Sequence, residues 1–313
     1  MTTFLFSHPV CQEHDPGRGH PECPERLKVV LNALNRDLFK TLERRNAPKA
    51  TLDQIARVHD RKHAEKVLST IKEHGHGSLD GDTHFSPNSG EAALRAAGAV
   101  CAAVDAVMAG ETQNAFCAVR PPGHHAECAA AMGFCLFNTV AIGAEHARKA
   151  HNLNRVAVVD FDVHHGNGTQ AAFWDDASLI YASSHQMPLY PGTGAAHEQG
   201  AHNNIFNLPC APGTSGAQII KGWRESLLSA IVDAAPDLVI ISAGFDAHID
   251  DPLGGLAMQT ADFATLTSDI TACVQQIADT TGGCRLISLL EGGYDLDALG
   301  QSVCAHLRAL EAL

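Results

Sequence analysis

The sequence predicts an α/β fold in one domain spanning 1–313, with a mainly parallel sheet flanked by helices on both faces. Two patterns carry this expectation. Short apolar, β-branched runs alternate with longer segments of helical periodicity, as parallel strands alternate with crossover helices. Four of those runs end in polar, glycine-containing punctuation: R-P-P-G-H-H from Arg120, D-F-D-V-H-H-G-N-G from Asp160, S-A-G-F-D from Ser242 and E-G-G-Y from Glu291. In a parallel sheet such ends share one edge, where open α/β folds bind ligands. No repeat, linker or low-complexity tail divides the 313 residues, which suffice for a large core.

Taken in order, residues 3–6 read as a short first strand. A loop dense in Pro, Gly and charge follows, D-P-G-R-G-H-P-E-C-P-E-R-L from Asp15. Loops this long inside a compact domain are often functional. Pro24 fits the first turn of a helix over 24–35. Arg26 lies near that start, where the helix dipole gives a cation no support, so a specific partner is expected. Helices follow over 60–73 and 89–108. The second is rich in small residues on nearly all sides and should be largely buried. A turn-rich loop joins them. Strands are expected at 115–119, 156–159, 179–182, 205–208, 237–242 and 285–290, and helices at 139–150, 217–234, 261–279 and 297–310.

Composition narrows the function. The chain is 45% hydrophobic and 18% charged, a globular balance. A formal net charge of −13 argues against a nucleic-acid partner, which needs a basic face. It is compatible with a cationic substrate. No apolar run approaches the roughly 20 residues of a membrane span. The start, M-T-T-F-L-F-S-H, lacks the basic and apolar regions of a secretory signal. Ten scattered cysteines form no C-x-x-C, and Cys101 and Cys135 sit in apolar company. They are expected to be free thiols in a reducing cytoplasm. A homo-oligomer is compatible with the sequence, which does not specify one.

The chemistry concentrates after the strand at 156–159. If the strand period continues, Asp160, Asp162 and His164 fall on one side. Two carboxylates and an imidazole are costly to bury unpaired. A metal with an oxygen- and nitrogen-rich shell explains them economically, against the plainer alternative of a hydrogen-bonded polar strand end. Asp246, on a neighbouring strand end, is free to join Asp162 and His164 as a third ligand. Three protein ligands leave an open position, the mark of a catalytic zinc, although this shell also admits iron or manganese. His124 and His125 are placed to serve as base and acid beside the metal. Asp160 can orient a histidine, and Tyr294 can donate to a polarised carbonyl oxygen. Each alone could be an ordinary loop histidine or core tyrosine, but four strand ends agree.

At these residues the chain resembles the histone deacetylase superfamily along nearly its whole length. The matching motifs are H-P-E-C-P-E-R-L from His20, R-P-P-G-H-H-A from Arg120, G-F-C-L-F-N from Gly133, D-F-D-V-H-H-G-N-G-T from Asp160, Y-P-G-T-G from Tyr190, S-A-G-F-D from Ser242 and E-G-G-Y from Glu291. The resemblance implies the arginase/deacetylase-like fold and one zinc ion on Asp162, His164 and Asp246. It implies His124 as general base bonded to Asp160, His125 as second catalytic histidine, and Tyr294 on the substrate carbonyl and oxyanion. It maps the substrate tunnel to Gly133, Phe134 and Tyr190, with Leu253 at the rim and Arg26 near an acetate exit path. It also implies a structural potassium on Asp160, Asp162, His164, Ser183 and Ser184.

Asn167 stands where class I members carry an aspartate that pairs with the second histidine, so H-H-G-N-G-T resembles the class II pattern of bacterial amidohydrolases. Without a carboxylate partner, His125 should be harder to protonate. The implied reaction is removal of an acetyl or other acyl group from an acylated amine, N-ε-acetyl-lysine above all. The alternatives are an acetylpolyamine deacetylase, a hydrolase of other small amides or esters, and a non-catalytic acyl-lysine binding module. The intact His124, Tyr294 and metal set argues against the last. A two-manganese arginase-like enzyme would need more bridging carboxylates.

Overall fold

The protein is described here by a computed structural model covering residues 3–312. Its strands, in chain order, are β1 (Phe4–Ser7), β2 (Glu43–Asn46), β3 (Gly77–Ser78), β4 (His84–Phe85), β5 (Asn114–Cys117), β6 (Val156–Asp160), β7 (Leu179–Gln186), β8 (Ile205–Cys210), β9 (Leu238–Ala243) and β10 (Arg285–Leu290). Eight form one sheet in the order β2-β1-β5-β10-β9-β6-β7-β8, every pair parallel. The remaining two, β3 and β4, make a small antiparallel hairpin. The central strands β6, β9 and β10 are mostly apolar and almost entirely buried, as strands covered on both faces must be.

The helices are α1 (Pro24–Ala33), α2 (Leu52–Ile55), α3 (Arg61–His74), α4 (Ser89–Met108), α5 (Thr139–His151), α6 (Asn167–Phe173), α7 (Gly216–Gly222), α8 (Leu228–Ala234), α9 (Thr260–Thr281) and α10 (Leu296–Leu310). On one side α4 packs with α5; on the other α10 packs with α1 and α9, and α9 with α8. The expected helix over 217–234 is interrupted by a π-helical turn, Trp223–Leu227, which carries the fully buried Trp223. Pro24 occupies the first turn of α1, and Thr51 and Gln54 form a capping box on α2. No helix among the described residues is long and apolar enough to cross a membrane.

The expected α/β architecture is present, with specific departures. The sequence analysis lacks β2, whose four residues E-R-R-N are all exposed. An edge strand has no apolar face to read, and charge there discourages edge-to-edge pairing. It also lacks α6, a short helix entered directly from Gly166. Strand β7 continues through the polar S-S-H-Q because β6 and β8 flank it and bury it. Strand β6 ends at Asp160, so Asp162 and His164 lie on the loop beyond it, not on an extended strand. There the Asp160 carboxylate accepts the Asp162 amide at 3.1 Å and turns the chain.

The order β5-β10-β9-β6 has a direct consequence. The four strands that end in polar motifs are consecutive neighbours in the sheet. Their C-terminal loops therefore meet at one point.

Candidate active site

Asp162, His164 and Asp246 converge from the loops after β6 and β9. One ligand atom from each lies within 4.8 Å of the others, and all three residues are buried. His164 Nδ1 is 3.2 Å from Asp162 Oδ1 and 3.2 Å from Asp246 Oδ2. The outer carboxylate oxygens are held by backbone: Gly292 N–H donates to Asp162 Oδ2 at 2.8 Å, and Val163 N–H to Asp246 Oδ1 at 2.8 Å. A Cβ on Gly292 would collide with both carboxylates, so only glycine fits there.

The two histidines after β5 approach the same group, their ring centroids 4.0 Å apart. His124 Nδ1 lies 3.0 Å from Asp160 Oδ2, and its Nε2 is 3.9 Å from Asp162 Oδ1. Asp160 Oδ2 also accepts the Tyr181 hydroxyl at 3.0 Å. His125 Nδ1 lies 2.9 Å from Asn167 Oδ1. The Asn167 amide nitrogen donates to Glu127 Oε1 at 2.7 Å, which leaves its oxygen to accept from His125. The Glu291 carboxylate accepts Gly123 N–H at 2.7 Å and His124 N–H at 3.3 Å, tying the histidine turn to the tyrosine turn.

A cavity of about 250 Å³ opens over this group, lined by Asp82, His125, Gly133, Phe134, His164, Leu189, Tyr190, Leu253 and Tyr294. Phe134 meets the Tyr294 ring edge-on at 5.9 Å, and Tyr190 meets His125 at 5.1 Å. Gly133 has φ +57°, and a Cβ there would come within 2.5 Å of the His125 ring, so its bareness makes room for the imidazole. Phe134 holds φ +68°, a strained conformation for a bulky residue. Asp82 and Thr83 pin this turn: Gly133 N–H donates to Asp82 Oδ1 at 3.2 Å and Phe134 N–H to Thr83 Oγ1 at 3.1 Å.

Residues 20–310 match the model of the histone deacetylase domain. The chain belongs to the histone deacetylase family. A histone deacetylase-like amidohydrolase of Pseudomonas aeruginosa is 37% identical over 88% of this chain and 73% of its own. The polyamine deacetylase HDAC10 of Homo sapiens is 37% identical over 99% of this chain but 46% of its own length. The solved HD domain of HDA15 superposes with a TM-score of 0.92 at 32% identity, covering 99% of this chain and 88% of that one. The arginase/deacetylase-like fold is thereby shown.

Within this histone deacetylase-family site, burial penalises charge everywhere and the neighbours decide the outcome. Burial disfavours a charged His124, but the carboxylates of Asp162 and Asp160 outweigh it and raise its pKa to about 10. His125, buried beside His124 and His164, stays well below the usual histidine range. Burial and the Asp162 charge push Asp246 up to about 7. Burial raises the Tyr294 phenol well above its ordinary value, against the pull of the Arg26 guanidinium, so the hydroxyl keeps its proton.

Arg26 is fully buried, with specific partners as expected. It does not line the cavity. It packs behind Tyr294, 4.8 Å from the ring centroid, and donates to Gly293 O at 2.6 Å, Glu291 O at 2.5 Å and Glu22 Oε1 at 2.9 Å. The specific partner foreseen for it is Glu22. Ser183 pairs with Asp160 across β6 and β7, and the Ser184 hydroxyl accepts from Trp223 Nε1 at 2.8 Å.

Asp82, Tyr181, Glu291 and Asp251 join the site without a signal that marks their roles in the sequence. Tyr181 reads as core in L-I-Y-A, and Asp82 as a turn residue in D-G-D-T. Asp251 accepts Tyr294 N–H at 2.7 Å and Leu253 N–H at 2.9 Å, joining rim to floor.

A second His/Asp group, Asp105, His146 and His151, also brings three ligand atoms within 4.8 Å. There His146 Nδ1 receives donors from Arg57 at 2.7 Å and Gln54 at 3.3 Å. Its Nε2 must then carry the proton, which it gives to Asp105 at 2.8 Å. That group is a hydrogen-bonded pin between α4 and α5.

Proposed function

We propose that this amidohydrolase-family chain is a zinc-dependent deacetylase of acylated amines, with N-ε-acetyl-lysine as its main substrate class. One observation carries the reading: a single cavity is lined by His125, His164 and Tyr294 together with Phe134, Tyr190 and Leu253. Such a slot suits an extended aliphatic stem ending in a small amide, with the charged backbone left outside.

The residues present fit a divalent cation. Asp162 and Asp246 are both buried, and among the described residues no lysine or arginine side chain pairs with either. Two carboxylates with one imidazole between them form an oxygen-rich, three-ligand set. When bound there, the ion supplies Lewis acidity to the amide carbonyl and to an attacking water.

The chain's own groups divide the remaining work. The sequence analysis gives the base role to His124; the hydrogen-bond partners favour His125. His125 donates Nδ1–H to a neutral amide, so its Nε2 is free to take a proton from water and return it to the leaving amine. His124, held by the Asp160 carboxylate, retains its proton and stabilises negative charge as it develops. Tyr294, protonated and anchored through Asp251, donates to the carbonyl oxygen. Phe134 and Tyr190 flank the stem and exclude water.

Two further elements belong to this reading. A structural potassium ion on Asp160, Asp162, His164, Ser183 and Ser184 is part of the reading through the family resemblance alone. All ten cysteines are free, which supports a reducing compartment such as the cytoplasm.

An acetylpolyamine substrate is the second reading. Asp82 at the cavity wall and the net charge of −13 favour it, as does the likeness to polyamine deacetylase HDAC10. Comparing kcat/KM for acetyl-lysine peptides, acetylspermidine and simple anilides decides between them. Lysine peptides should lead; preference for acetylspermidine would move the assignment.

A further inference from the structure

Behind the site lies a carboxylate that no step above uses. Glu22 is completely buried, just ahead of α1. Its Oε1 accepts from Arg26 Nη1 at 2.9 Å and, in a very short contact, from Arg120 Nε. Its Oε2 accepts from Arg120 Nη2 at 2.7 Å and lies 3.2 Å from His14 Nε2. Burial alone would raise its pKa, but Arg120 and His14 bring it well below the usual carboxylate range. It is thus a permanent anion between two guanidiniums.

Each arginine holds one catalytic turn. Arg26 grips the carbonyls of Glu291 and Gly293 on either side of Gly292, and lies against the Tyr294 ring. Arg120 opens R-P-P-G-H-H and is further fixed by the carbonyls of Cys11 and His14. The circuit closes through Glu291, whose carboxylate accepts Gly123 and His124 N–H. Removing the central charge would leave two buried guanidiniums facing a neutral group, and a buried charge without its partner rearranges its surroundings.

We propose that Glu22 is a positioning residue for catalysis, coupling the turn that bears Tyr294 to the turn that bears His124 and His125 by holding Arg26 and Arg120 together. The inference rests on the proposed reaction, since one of its readouts is turnover. Glu22 touches no reacting atom, so its effect must pass through the placement of others, where displacements of about 1 Å can cost up to 10²-fold.

The test pairs kinetics with hydrogen exchange on Glu22→Gln, which keeps shape and removes charge. With metal content unchanged, kcat should fall by about 10- to 100-fold while KM changes little. In a Tyr294→Phe background the same substitution should cost much less, because the group it positions is gone. Amides of residues 123–125 and 291–295 should lose protection together, ahead of β6. Unchanged kcat, losses that multiply in the double variant, or a uniform rise in exchange across the chain would overturn the proposal. If Glu22→Gln yields no folded protein, Glu22→Asp carries the same readouts, since it keeps the charge but retracts the carboxyl. If the wild-type protein hydrolyses no acylated amine, the proposed function fails, and the exchange pattern still decides whether Glu22 couples the turns.

Discussion

His125 gives its Nδ1 proton to the amide oxygen of Asn167, 2.9 Å away. Its neighbour His124 has a carboxylate, Asp160, in the equivalent place. Replacing the amide by a carboxylate should remove that asymmetry. Asn167→Asp, combined with Glu127→Gln so that no second carboxylate abuts the new one, raises the proton affinity of His125. A base must be unprotonated to act, so the acid limb of the kcat/KM profile should move up by about one pH unit. An unmoved limb would return the base role to His124. His125→Ala should lower kcat by about 10²–10⁴.

The metal assignment is tested at Asp246. Its carboxylate is one of three groups whose donor atoms converge within 4.8 Å. Asp246→Ala should abolish stoichiometric metal and turnover while far-UV circular dichroism stays native. One metal per chain retained, measured by elemental analysis, would place the site elsewhere.

Tyr294→Phe keeps the ring against Phe134 and Arg26 and removes only the hydroxyl donor. An oxyanion donor is worth about 10²–10³ in kcat. A rise in KM at constant kcat would show ground-state binding instead.

Substrate class is tested at Leu253. Leu253 lines the cavity, its N–H held by Asp251. Leu253→Glu adds a charge beside an incoming ammonium and should shift kcat/KM toward acetylspermidine by roughly tenfold, about 1.4 kcal/mol. No shift would show that Leu253 only packs its loop.

Stability should fall on the acid side. Burial holds His59 and His185 at about 4 and His165 and His306 at about 3, so the fold keeps them neutral. The unfolded chain binds those protons near pH 6.5. Their contribution is complete above that pH and is lost as pH drops toward 4. Glu291 works oppositely: burial raises it to about 7, so its contribution grows as pH falls from 7 toward 4.5. Asp246, raised to about 7, acts in the same sense as Glu291, but the buried neutral histidines outnumber these two carboxyls, so unfolding takes up protons and stability falls as pH drops through this range. Denaturant midpoints between pH 6.5 and 4.5 measure this; a flat profile would contradict it.

The strand ends were legible because chemistry and topology coincide there. D-F-D-V-H, S-A-G-F-D, R-P-P-G-H-H and E-G-G-Y each terminate an apolar run, and the runs are adjacent strands. What escaped reading depends on pairs distant in sequence. Asp82 acts by capping Gly133, Glu22 by joining Arg26 to Arg120, and Tyr181 by reaching Asp160 from within an apolar strand. Of these pairs only Glu22 and Arg26, four residues apart, leave a spacing signal. The Arg26 motif is readable in the sequence, but its stacking on Tyr294 and its bonds to the carbonyls of Glu291 and Gly293 depend on the fold. Strand β2 is invisible because it buries no side chain.

The central claim is that acyl-amine hydrolysis depends on a metal held by Asp162, His164 and Asp246. Acetate release from an acetyl-lysine peptide, followed on one preparation as isolated, after chelation and after re-addition of one zinc equivalent, tests it directly. Release should vanish with the metal and return with its replacement. Undiminished release from protein whose metal content has fallen far below one per chain would contradict the account.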